Sequence, residues 1–134
     1  MIKRTLGCAA LLGWLMASGS LQAHHSLAGV YDMKTTKELS GSLDSIKFVN
    51  PHGSLAIMVK NPDGTATKWV VTMGSATSLA QRGIGKTGPN ALHVGDAIKI
   101  KFLPAKDGGP LGFLQTVTMP DGRVIQISGG GANE

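Results

Sequence analysis

Turn signals divide this chain at short intervals, and that spacing restricts its fold more than any other feature. Asn50-Pro51-His52-Gly53, Asn61-Pro62-Asp63-Gly64 and Pro120-Asp121-Gly122 each join glycine to residues that favour tight reversals. The segments between them are short and alternate apolar with polar residues. Residues 54–60 put Leu55, Ile57 and Val59 on one face, and residues 67–73 do the same with Trp69, Val71 and Met73. A period of two belongs to strands with one buried face. Residues 37–49 carry Leu39, Leu43, Ile46 and Phe48, and the alternation slips between Leu43 and Ile46. A bulge in a long, bent strand produces such a slip.

One stretch departs from this pattern. Residues 75–83 read as a short helix, with Ser75 as the N-cap, Leu79 as the apolar anchor and Gly83 as the stop. A loop over 85–90 and a turn over 92–96 lead to a strand over 97–102. Residues 104–112 form a Gly/Pro-rich loop, and residues 114–119 and 123–127 a last hairpin. The expectation is an all-β chain: a small OB-like β-barrel of five to six strands with one short helix between strands 3 and 4. Leu55, Ile57, Trp69, Val71, Ile98, Ile100 and Val117 should face its interior.

The first residues belong to a different class of segment. Lys3 and Arg4 precede an apolar run over 6–16, followed by small and polar residues and then Leu21-Gln22-Ala23. A basic start, a short apolar stretch and a small residue at the cut define a secretory signal. The run has 11 residues. A membrane span needs about 20. Residues 1–23 are therefore expected to be a signal peptide cleaved after Ala23. Residues 24–128 are expected to form a single barrel domain, and residues 129–134 a disordered tail. Cys8 sits inside the apolar run, where lipidation would not occur, and it is lost with the signal. A periplasmic or secreted protein without cysteine or a membrane span remains. Of 13 basic residues two leave with the signal, giving 11 against 8 acidic and a net charge of +3. An excess this mild serves solubility more often than nucleic-acid binding.

Further residues carry a family resemblance. His24-His25-Ser26, Tyr31-Asp32, Gly41, Asn50-Pro51-His52, Asp63-Gly64 with Trp69, and Leu79 with Arg82-Gly83 occur in that order. Leu92 with Gly95-Asp96, residues 104–108, and Val117 with Asp121-Gly122-Arg123 follow. Together they resemble a family of small exported bacterial proteins, domain of unknown function 6152. The resemblance covers residues 24–125. It implies export from a Gram-negative cell and a small β-barrel, and it implies no activity. Three positions depart from the family pattern: Phe48 and Ile84 stand where Trp is usual, and Thr72 where Glu is frequent.

The histidines give the sharpest chemical expectation. Cleavage after Ala23 makes His24 the first residue. Its α-amine and ring nitrogen can then chelate one metal, and a third nitrogen from elsewhere completes the T-shape that Cu(II) favours. His52, held in a tight turn by Pro51, is the natural third ligand, and His25 is the alternative. Asp32 is a candidate to orient a ligating ring and Tyr31 to close the site. The plainer readings are a polar mature N-terminus, a turn histidine, a turn-capping Asp32 and a packing Tyr31. His93 is expected at the surface.

Other chemistries lack their residues. Ser26 and Ser54 lie near histidines but not in a nucleophile-elbow setting. Residues 83–88 imitate a phosphate loop, yet the spacing is short and no long helix follows; a flexible loop is expected. The aromatics Tyr31, Phe48, Trp69, Phe102 and Phe113 fall mostly at core positions, which argues against a base-stacking platform. The expectation is a non-enzymatic, exported, metal-binding protein, with copper as the ion. The alternative is an OB-fold binding module without metal, for a small anionic or carbohydrate ligand or a protein partner.

Overall fold

The computed structural model describes residues 26–128. The expected signal peptide, His24, His25 and the expected tail lie outside the described residues. The elements are α1 (Ser26–Val30), β1 (Lys37–Lys47), β2 (Ser54–Lys60), β3 (Ala66–Thr72), α2 (Ala76–Gln81), β4 (Ala97–Pro104), β5 (Leu111–Thr118) and β6 (Val124–Gln126).

β1 organises the rest because it serves two partners. Residues 37–42 pair with β4 and residues 42–47 with β2, so Ser42 faces Met58 on one side and Ala97 on the other. The strand must bend to do this. Two features in the sequence permit it. The register jumps between Leu43 and Ser45, which leaves Asp44 as the extra residue of a bulge where the alternation slips. Gly41 lies where a Cβ would strike the Met58 carbonyl, so only glycine lets β2 cross so closely.

The strand order is β3-β2-β1-β4-β5-β6, and a parallel pairing of β3 with β5 closes the first five into a barrel. This is the expected all-β, OB-like barrel, with α2 between the third and fourth strands. β6 adds a short antiparallel strand to β5.

Inward residues follow the strand period. Ile98, Ile100 and Phe102 of β4 are buried while Ala97, Lys99 and Lys101 are exposed. Leu43, Leu55, Ile57, Val71, Leu114 and Val117 join them in one cluster. Burying each such side chain contributes about 1.5–3 kcal/mol. Trp69, expected inside, is only half-buried; its ring lies 5.5 Å from that of Phe102 at the margin of the cluster.

α2 begins where its cap requires: Ser78 N–H donates to the Ser75 hydroxyl at 3.1 Å. Its buried Leu79 and the following Ile84 and Leu92 complete the core. The loop after α2 is not free throughout. The Arg123 guanidinium donates to the Asn90 side-chain oxygen at 2.9 Å and to the Pro89 carbonyl at 3.2 Å, tying the loop's end to the β5–β6 turn.

Candidate functional site

Sheet pairing brings three chain segments to one place. Ser54 at the start of β2 faces Thr72 at the end of β3, and Thr72 faces Phe113 near the start of β5. The β1–β2 loop that carries His52 ends at Ser54. Its two shoulders are fixed to the link between β3 and α2. Gly53 and Gly74 share a backbone bond of 3.0 Å, Met73 donates to the Gly53 carbonyl at 3.0 Å, and Ala76 donates to the Val49 carbonyl at 3.2 Å. The Asn50–Pro51 peptide is cis. His52 is exposed, and its ring makes no hydrogen bond with another described residue. It therefore does not serve as a backbone-bonded turn residue.

The N-terminal segment docks on the same region. Tyr31 forms an isolated bridge with Ala105, Asp32 N–H donates to the Pro104 carbonyl at 2.9 Å, and Lys106 N–H donates to the Val30 carbonyl at 2.9 Å. The Lys106 ammonium also donates to the Ala28 carbonyl in α1. The Tyr31 ring packs 5.8 Å from the Phe113 ring, and its hydroxyl meets the Thr72 hydroxyl at 3.1 Å. Tyr31 is thus both a packing aromatic and a polar link to the strand pair that ends the His52 loop.

Asp32 has a different job. Its carboxylate accepts from Lys34 N–H at 3.0 Å and from the Thr35 hydroxyl at 2.6 Å, which is the turn-capping arrangement. The Thr35 hydroxyl first, then the Lys34 amide, hold its pKa below the ordinary value of 3.8. The carboxylate is directed to its own turn and not to His52.

Of the expected site residues, His52 and Tyr31 come to one end of the barrel, Asp32 follows Tyr31 but faces its turn, and His24 and His25 lie outside the described residues. Among the described residues no group of three His, Cys, Asp or Glu could hold a metal ion. His93 is exposed, its amide donating to Asp96 at 2.8 Å. The three departures from the family pattern divide by place. Ile84 is buried in the core and Phe48 packs against it, whereas Thr72 is the hydroxyl that Tyr31 contacts. Sequence reasoning missed α1 and the role of Lys106. A Ser-Leu-Ala-Gly-Val helix of five residues is too short to show a period.

No helix among the described residues is long and apolar enough to cross a membrane. A family of unknown function, DUF6152, matches residues 13–114. No curated protein and no solved structure matches the chain.

Proposed function

The chain belongs to the DUF6152 family, and from that premise we propose that it is an exported, periplasmic binding protein for Cu(II), not an enzyme. The observation that carries this reading is the anchoring of the N-terminal segment. Tyr31 is bonded to Thr72, Thr72 faces Ser54, and Ser54 lies two residues beyond His52. The chain that follows the His24-His25 pair is thereby fixed at the end of the barrel that presents an unengaged imidazole.

In this reading signal removal after Ala23 gives His24 a free amine. The amine and ring of His24 make one chelate, and the His52 ring supplies the third nitrogen, with His25 as its substitute. A cysteine-free mature chain offers no thiolate, and nitrogen donors in a tetragonal set suit Cu(II) better than the harder Ca²⁺ or Mg²⁺. Tyr31 holds the segment in place by its link to Thr72. Protons compete with the metal for imidazole and amine, so affinity falls as pH drops.

The test is a copper titration of processed protein beside His24→Ala, His52→Ala and a form with one extra residue before His24. The expected result is tight binding by the unmodified protein, with loss of affinity and a changed EPR spectrum in all three variants. Equal binding by all four forms overturns the reading.

A further inference from the structure

The outer face of the barrel carries a second feature, independent of the copper reading. Cross-strand pairing sets its rows. Ser40 faces Lys99, and Lys99 faces Thr118 on the other side. In the next row Met58 faces Ser42, and Ser42 faces Ala97. Beyond these, at the end of β2, Lys60 faces Ala66. Side chains on the outward face are therefore small at Ser40, Ser42, Ala66 and Ala97 and long at Met58, Lys60 and Lys99. A depression results, bounded on its remaining side by the β5–β6 turn at Pro120 and Gly122. The cleft measures about 650 Å³, within the range of small-molecule sites.

Its chemistry is one-sided. Met58, Ala66, Ala97 and Pro120 give apolar surface, Ser40 and Thr118 give hydroxyls, and among the described residues the only charged lining residues are Lys60 and Lys99. The register explains why these two charges are uncompensated. On the same face Lys101 stands opposite Glu38, and Lys68 is paired with Asp44 at 2.7 Å. Lys99 instead has a hydroxyl residue on each side, and Lys60 has an alanine. Neither makes an ion pair with another described residue. An apolar depression with ammonium groups at its edge, and no carboxylate among the described residues of its lining, complements a small amphiphile with an anionic head.

We infer that this cleft binds a free small molecule that has an apolar body and a single carboxylate-like head, the head between Lys60 and Lys99 and the body against Met58 and Pro120. The probe is dodecanoate, kept below its micellar concentration, titrated into copper-free protein expressed from the 134-residue sequence. Dodecanol and dodecyltrimethylammonium serve as the neutral and cationic comparisons. Dodecanoate should bind best, and octanoate should bind more weakly by about four-fold for each methylene removed while the chain stays within the cleft. Lys60→Ala and Lys99→Ala should each weaken dodecanoate by about five-fold and leave dodecanol unchanged, the scale of one partly exposed charge contact. Ala97→Phe, which fills the depression at an exposed position, should weaken both dodecanoate and dodecanol. Unchanged melting temperatures establish that the variants fold. Equal binding of the cation, or indifference to both lysines and to Ala97→Phe, overturns the inference. Binding to anionic vesicles without binding of monomeric dodecanoate also overturns it, because the lysines would then read a membrane surface. Copper binding enters neither outcome, so the two sites fail or stand separately.

Discussion

The His52 end of the barrel and the lysine cleft are built in opposite ways. The first joins segments far apart in sequence: the Tyr31 hydroxyl meets Thr72, 41 residues away, and the Lys106 ammonium reaches back 78 residues to Ala28. The second comes mainly from strand register, as rows of small residues flanked by long ones and closed by the β5–β6 turn. A docked segment can be withdrawn without unfolding the barrel. A feature of register disappears only when the strands part. The first region thus depends on how the N-terminal segment is docked, and the second on the integrity of the sheet.

Four experiments bear on this contrast. The largest effect is expected from Ile100→Ala. Ile100 is fully buried in the single core cluster and pairs with Leu39 of β1 and Val117 of β5. Its truncation should cost about 2–5 kcal/mol, seen as a fall in the urea midpoint with loss of both binding activities at one denaturant concentration. Separate loss of the two would show that they do not share a core.

Next comes Gly112→Ala. A Cβ there would strike the Phe102 ring, so the parallel closure of β3 on β5 must shift. A cost of about 1–3 kcal/mol is expected, as for other overpacked cores. Amide chemical shifts should move at Thr72 and Phe113 more than at Ser42 and Ala97. A uniform response would erase the distinction between the two regions.

Tyr31→Phe should cost about 1 kcal/mol, the usual net value of one hydrogen bond. It should increase hydrogen exchange at residues 27–32, weaken copper binding, and leave dodecanoate binding unaffected. A matching loss at the cleft would contradict the independence argued above.

The smallest effect concerns pH. The hydrogen bonds of Asp32 depress its pKa in the folded state, so they stabilise above the ordinary value of 3.8 and are lost as pH falls through the folded one. The melting-temperature difference between the unmodified protein and Asp32→Asn should therefore shrink below about pH 4. A difference that persists unchanged to pH 2 would mean that the Asp32 charge does not stabilise this turn.

Much of the barrel is legible in the amino-acid sequence. The bulge at Asp44, the helix after Ser75 and the turns after Asn61 and Pro120 are each written in local chemistry. The closing segment of β5 is not. Residues 111 and 112 fall within the expected loop and Phe113 at its edge, because Gly112 looks like a breaker until Phe102 is seen to need the space it leaves. Trp69 follows the strand period but ends half-buried, since period assigns a face and not a depth. At the candidate site, His52 and Tyr31 were named from sequence, but the Thr72 hydroxyl between them depends on pairing. The cleft was illegible for the same reason. Alternating lysines mark β4 as a strand, and only its register with β1 tells which lysine faces an acid.

The parallel closure has a consequence in time. Synthesis delivers β1, β2, β3 and α2 well before residues 111–113, which seal β3 to β5. Until then β3 keeps one side unpaired, and an unpaired strand side invites pairing with another chain. Contacts this distant in sequence also form slowly. The interval between the emergence of Thr72 and that of Phe113 is therefore the period when the nascent chain is most exposed to aggregation. A chaperone that holds it through those 41 residues guards the whole vulnerable window.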